Sequence, residues 1–319
     1  MSFVRTVLGD IAPDQMGLTY SHEHIVIEES YPTLKNELLL LNDPDKITEE
    51  LQQFHRKGGR TMVDTMPANA GRNIQKLAEV SRRTGVQIIA PTGIHLEQYY
   101  LPNHWRYHYT EEQLTRLFVE DITKGIDKHD YGGPIVERTP HKAGMIKLAT
   151  GDEPITSHQE KIFRAVVNAH ITTGAPVLTH TNYGRRALDQ VTLFDKLGAD
   201  LSHVVLSHVD RYKDVEYNRE ILQSGVSVEY DSAFRWPMKD EENWTYRLLE
   251  ELLPEFPNQI VMGMDAAKHT YWNSYGGEPG LDFLLTDFRD DLAAMGLDEY
   301  YDQIFYENPA RLYAFKSRV

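Results

Sequence analysis

Eight short apolar runs, separated by helix-period segments, constrain this chain more than any other feature. They are Thr19 to Ile27, Thr61 to Met66, Gln87 to Pro91, Gly144 to Ala149, Ala175 to Thr181, His203 to Val209, Val226 to Asp231 and Ile260 to Asp265. Most are near-continuous rather than alternating, the pattern of parallel strands covered by helices. Before four of them a helix-period segment ends at glycine, at Gly58-Gly59, Gly85, Gly174 and Gly225. Glycine there supplies the left-handed residue that terminates a helix. Eight strands alternating with helices along 319 residues predict an α/β fold, a single (β/α)8 TIM barrel, better than an open sheet. No Gly-x-Gly-x-x-Gly follows a strand, which argues against dinucleotide binding.

The helices carry start signals. Asp43-Pro44 places a capping acceptor before a proline at the first helical position, with Ile47, Leu51 and Phe54 following at helical spacing. Thr110 with Gln113, and Ser157 with Glu160, read as capping boxes. The long stretch between the third and fourth strands reads as an elaborated loop with its own helix. With no low-complexity linker anywhere, residues 1–319 are expected to form one barrel domain.

Composition narrows the chemistry. There is no cysteine among the 319 residues, so a metal must be held by imidazole and carboxylate. The formal charge of -15 argues against nucleic acid, which basic patches bind. No apolar run approaches the ~20 residues of a membrane span, and the N-terminus lacks a signal-peptide core. A cytoplasmic protein is therefore expected, with its oligomeric state left open, a homodimer included.

In a barrel of this type the active site lies at the C-terminal ends of the strands. The first strand carries His22-Glu23-His24, whose two histidines share a face while Glu23 takes the other. Lys147 lies on the fourth strand, His180 and His208 end the fifth and sixth, and Asp265 ends the eighth. Each has an ordinary explanation: a structural histidine, a helix-capping aspartate, a lysine reaching for solvent. All six at the same end of their strands point instead to a metal centre. His22, His24 and Asp265 meet only if the barrel closes, and His180 and His208 come from the opposite wall. Two such groups suit two ions, yet neighbouring cations need an anion between them and a lysine amine is not one.

These positions resemble the phosphotriesterase-like branch of the amidohydrolase superfamily. The likeness extends from Val7-Leu8-Gly9-Asp10 and Thr19-Tyr20-Ser21-His22-Glu23-His24 through Gly71-Arg72-Asn73 to Glu307-Asn308-Pro309-Ala310-Arg311-Leu312. The resemblance implies two divalent ions, zinc first and manganese or cobalt as alternatives, and a Lys147 carboxylated by carbon dioxide as the bridging anion. It places His22, His24 and Asp265 on one ion and His180 and His208 on the other, with a metal-bridging hydroxide as nucleophile. Asp265 would be the catalytic proton acceptor.

Organophosphate-hydrolysing members that this chain resembles carry a histidine just after the seventh-strand aspartate, whereas here Asp231 is followed by Ser232. The eighth loop, Asp265-Ala266-Ala267-Lys268-His269-Thr270-Tyr271, looks like that of the subgroup that opens phosphorylated furanose lactones. Lys268 and Tyr271, with Arg235 and Lys239 of the seventh loop, would receive a small anionic substrate, and Tyr99 and Tyr100 would wall it or pack. Asp240-Glu241-Glu242 beside Lys239 offers a plain alternative, a solvated helix start. The expected activity is hydrolysis of a phosphorylated furanose 1,4-lactone. Alternatives are a lactonase for N-acyl homoserine lactones with promiscuous organophosphate hydrolysis, a Schiff-base aldolase using Lys147, and an inert binding protein.

Overall fold

The computed structural model describes residues 2–235 and 242–316. The chain opens with a hairpin of β1 (Phe3–Thr6) and β2 (Gly9–Ile11). The staves follow: β3 (Leu18–Glu23), β4 (Gly59–Asp64), β5 (Gln87–Ile89), β6 (Pro91–Gly93), β7 (Met145–Thr150), β8 (Val177–Thr181), β9 (Val204–Ser207), β10 (Ser227–Tyr230) and β11 (Ile260–Met262). A short β12 (Ala314–Phe315) pairs antiparallel with β1. Every pairing from β3 to β11 is parallel. β5 and β6 are halves of one stave interrupted at Ala90, which leaves eight staves. Just beyond β11, the Asp265 N–H donates to the His22 carbonyl at 2.9 Å and joins the last stave to the first. This is the (β/α)8 barrel that the eight runs predict.

Helices sheathe the staves. Pro44–Arg56 is capped by Asp43, which accepts from the N–H groups of Asp45 and Lys46. Glu111–Thr123, in the elaborated loop, begins at the Thr110–Gln113 capping box. Ser157–Thr173 begins one residue earlier than expected: Thr156 caps it, with Gln159 closing the box. Thr156–Gln159 and Ser157–Glu160 both satisfy the same spacing rule, so the pattern alone does not choose between them. The β1–β2–β12 sheet is not foreseen either, being short and partly polar. It is held by Phe3 stacked on Phe315 at 4.7 Å.

Strand alternation sets what faces the lumen. Val63, Ile89, Met145, Leu178, Val205 and Val261 form its floor, packed with Val4, Leu312 and Tyr313. Two residues further along their staves, Thr65, Lys147, His180, Ser207 and Gly263 form the next layer up. β3 departs from simple alternation. Tyr20 pairs with Met62 and Glu23 with Asp64, three steps on β3 against two on β4, so β3 carries one extra residue. Tyr20 packs outward on Phe54, with ring centroids 4.8 Å apart. Plain alternation would send His22 outward as well; the bulge turns it into the lumen. β3 also ends earlier than Ile27, because the Ile25 N–H leaves the ladder to bond Asp64 Oδ1 at 2.8 Å.

Candidate metal centre

The upper lumen collects imidazoles and carboxylates from five staves. His24 Nε2 lies 3.1 Å from Asp265 Oδ1, and His22 Nε2 lies 3.8 Å from the same oxygen. Lys147 Nζ is 3.5 Å from His22 Nε2. The His22 and His208 rings are 4.7 Å apart between centroids, and those of His208 and His180 are 4.6 Å apart. The six proposed ligands therefore gather in one place. They are not equally poised. His22, His24 and Asp265 present ligand atoms within 4.8 Å of one another, and so do His22, His208, Glu229 and Asp231. His180 belongs to neither group; its Nε2 instead contacts Asn182 Oδ1 at 2.8 Å.

Glu23, on the opposite side of β3, accepts from the N–H of Met264 at 2.8 Å and of Ala266 at 3.3 Å. It thus clamps the loop that carries Asp265 to the first stave. Asp265 itself has φ 46°, in the left-handed region that aspartate tolerates better than most residues.

Electrostatics follow from burial. It pushes the His22 imidazole well below its usual value, helped by Lys147 and His208. His180 is lowered by burial, then by His208 and Lys147. Burial also pushes the Lys147 amine down to about 7 against the pull of Asp265, Glu229 and Asp231. Burial would raise Asp265, but the His24 hydrogen bond, His208, Arg211 and Arg235 outweigh it and hold the carboxyl well below its usual range. Neutral imidazoles beside an ionised carboxylate are the donor set a divalent ion requires. Three buried atoms of the site also lack a hydrogen-bond partner among the described residues: His24 Nδ1 and both oxygens of Glu229. The residues present fit a metal.

The proposed substrate residues divide. Arg235 is not solvated: Nη2 donates to the carbonyls of Met264 at 2.8 Å and Asp265 at 2.5 Å, and lies 3.4 Å from Asp265 Oδ2. Its Nη1 reaches the Tyr271 hydroxyl at 3.3 Å, and the Lys268 ammonium stands 6.0 Å from the Tyr271 ring. Lys268, Tyr271 and Arg235 thus form one basic, aromatic edge beside Asp265. Lys239 lies outside the described residues. Arg235 and Tyr271 also line a cavity of about 730 Å³ with Phe234, Phe283 and the acidic Asp287, Asp290 and Asp291. Tyr99 stacks on His95 at 3.9 Å, and His95 abuts His180 at 5.0 Å, so Tyr99 borders the metal centre from the other side. Tyr100 is buried; its hydroxyl donates to the Ala68 carbonyl and accepts from the His95 N–H. Its role is packing.

The profile of the Phosphotriesterase family matches residues 2–313. The chain belongs to the phosphotriesterase family. Its members are metal-dependent hydrolases. A phospho-furanose lactonase of Mycoplasmopsis synoviae is 30% identical, over 99% of this chain and 93% of its own. Among solved structures, an amidohydrolase from Mycoplasma synoviae superposes with a TM-score of 0.94 at 28% identity, covering 100% of this chain and 93% of that one. A lactonase from Listeria monocytogenes gives 0.89 at 31% identity, covering 99% and 100%. A metal-free aldolase built on Lys147 falls with this membership.

The structure adds residues to this phosphotriesterase-family site that the sequence reading did not single out. Arg211 bridges two carboxylates, with Nη2 2.5 Å from Asp231 Oδ1 and 2.7 Å from Asp265 Oδ2. Asp231 accepts from His208 Nδ1. Thr65 Oγ1 contacts His24 Nε2 at 3.2 Å. Glu229 and Asp231 had a signal, two acids at i, i+2 on an otherwise apolar strand. Arg211 had none, since a loop arginine three residues after His208 looks like any solvated cation.

Proposed function

We propose that this chain is a metal-dependent lactonase whose substrate is a phosphorylated furanose 1,4-lactone, built as one catalytic domain. The observation that carries the substrate class is the edge of Lys268, Tyr271 and Arg235 beside Asp265 in a chain of charge -15. A phosphate would sit at that edge rather than beside Asp287, Asp290 and Asp291, which would repel it. The phospho-furanose lactonase relative supports the same reading.

In this proposal His22, His24 and Asp265 hold one ion and His180 and His208 a second, zinc, manganese or cobalt. Divalent ions there supply Lewis acidity and a water ionised near neutral pH. The lowered Lys147 amine is neutral in a substantial fraction at neutral pH. Its nitrogen can then add to the carbon of carbon dioxide and shed one proton, giving the carbamate anion that two cations require. Asp265 takes the proton from the attacking water and returns it to the leaving alkoxide. Its carboxyl, held well below the usual range, gives that proton up readily. Arg211 on Oδ2 keeps the carboxylate oriented, and Arg235 fixes the backbone that carries it.

A second reading draws on Phe234 and Phe283 in the neighbouring cavity, which could take the acyl chain of an N-acyl homoserine lactone. Turnover of a phosphorylated furanolactone against a long-chain acyl lactone decides between them. A higher kcat/KM for the acyl lactone would overturn the phosphosugar assignment.

A further inference from the structure

Glu229 is a carboxylate with no part in the scheme above. It sits on β10, in register with Ser207 of β9 and Val261 of β11, and faces the lumen with them. Its exposure is 0%, and neither oxygen has a well-directed hydrogen bond among the described residues. A carboxylate buried this way is costly, and a hydrophobic side chain of similar size would ordinarily serve the core better.

What Glu229 faces is the back of a ligand. Its Oε2 lies 3.2 Å from His22 Nδ1, while the other ring nitrogen, Nε2, faces Lys147 and Asp265. Ser207 Oγ is 3.0 Å from the same Nδ1. A hydroxyl donates or accepts equally well, so Ser207 alone cannot choose the tautomer of His22; a carboxylate only accepts. Gly263 makes the approach sterically feasible. A Cβ there would stand 2.7 Å from the His22 backbone N and O and 2.9 Å from Glu229 Oε1. Any side chain at 263 would push Glu229 away from the ring.

We propose that Glu229 is a positioning residue for the metal centre: it accepts the Nδ1–H of His22, fixing the tautomer that leaves Nε2 free to bind the ion. Direct ligation by Glu229 is the competing geometry, since its oxygens also lie near His208 and Asp231. Against it, Asp231 is already shared by His208 and Arg211, and Glu229 stands on the side of His22 away from Asp265.

The inference rests on the metal-dependent reading above, and its test reads metal binding rather than turnover. Zinc affinity and stoichiometry are measured by competition with a chromogenic chelator for the wild-type protein, Glu229→Gln and Glu229→Leu. Loss of such an outer partner costs about 10–100-fold in metal affinity. Glu229→Leu should show that loss at unchanged stoichiometry, and Glu229→Gln, which keeps an acceptor, a smaller one. Nitrogen-15 spectra of the metal-free protein should show the His22 proton on Nδ1 in the wild type and a tautomer mixture in Glu229→Leu. The metal-free Tm should hold or rise in Glu229→Leu, because an apolar side chain replaces a fully buried carboxyl whose ionisation burial disfavours, while the gain in Tm on adding zinc shrinks. Equal zinc affinity in wild type and Glu229→Leu overturns the proposal, and so does a drop in the number of ions bound, which would make Glu229 a ligand. A wild-type protein that binds no divalent ion would sink the metal-dependent reading along with it.

Discussion

His22 and Asp265 meet twice: the Asp265 N–H donates to the His22 carbonyl at 2.9 Å, and their side chains approach to 3.8 Å on the lumen side. The backbone contact joins the last stave to the first, and the side-chain contact brings together two proposed ligands from those staves. The same juncture that closes the barrel therefore brings His22 and Asp265 together at the candidate metal centre.

Asp265→Asn should fold and fail. Asparagine shares the tolerance of aspartate for the left-handed backbone at φ 46°, so circular dichroism should be preserved. Loss of the proton acceptor should lower kcat by about 10²–10⁴-fold. Near-wild-type kcat would remove Asp265 from its proposed role.

Lys147→Ala removes the side chain meant to become the bridging anion. Activity should fall by at least about 100-fold and recover in part with added acetate or propionate, which can replace a carbamate. No recovery at unchanged metal content would argue against carboxylation of the lysine.

Arg211 holds Asp231 and Asp265 together while only 19% exposed. Arg211→Leu would leave the buried Asp231 and the partly exposed Asp265 without their shared partner, at a cost of about 3 kcal/mol, read from urea unfolding of the metal-free protein. Arg211→Lys should recover only part of it, because an ammonium cannot span two carboxylates as a guanidinium does.

The staves were legible because buried parallel strands write themselves as unbroken apolar runs, and the candidate ligands because polar residues ending such runs stand out. What escaped depended on contacts distant in sequence. The β1–β2–β12 sheet pairs Phe3 with Phe315, the two ends of the described chain, and neither segment is apolar enough to announce itself. Arg235 was read as either solvated or substrate-facing, and its grip on the Asp265 carbonyl became visible only once the seventh and eighth loops were placed side by side. Tyr99 and Tyr100 are adjacent in sequence, yet one borders the centre and the other supports the loop beneath it.

Lys268 and Arg235 should therefore fail differently. Lys268→Ala should raise KM for a phosphorylated lactone by about 10-fold or more, at little change in kcat and with little effect on an unphosphorylated one. Arg235→Ala should lower kcat for both, since it supports the Asp265 backbone. Identical kinetic profiles for the two variants would contradict this division.

Burial and Arg106 push His104 down from 6.5 to about 4, and its Nε2 contacts Asn69 Oδ1 at 2.8 Å. A histidine held neutral in the fold contributes stability that is fully present above about 6.5, where the unfolded chain is also neutral. That stability is lost as pH falls towards 4, because only the unfolded chain takes up the proton. The urea midpoint should drop between about pH 7.5 and about pH 5, and His104→Gln should make the drop shallower. An unchanged slope in that variant would assign the pH dependence elsewhere.

The single extra residue in β3 makes the chemistry of this barrel a matter of odd and even. Had the same residues run from Tyr20 in strict alternation, without the extra step against β4, His22 would share the outward face of Tyr20 and be lost from the lumen. A bare barrel scaffold and one with a candidate metal centre differ here by a single step of phase along one strand.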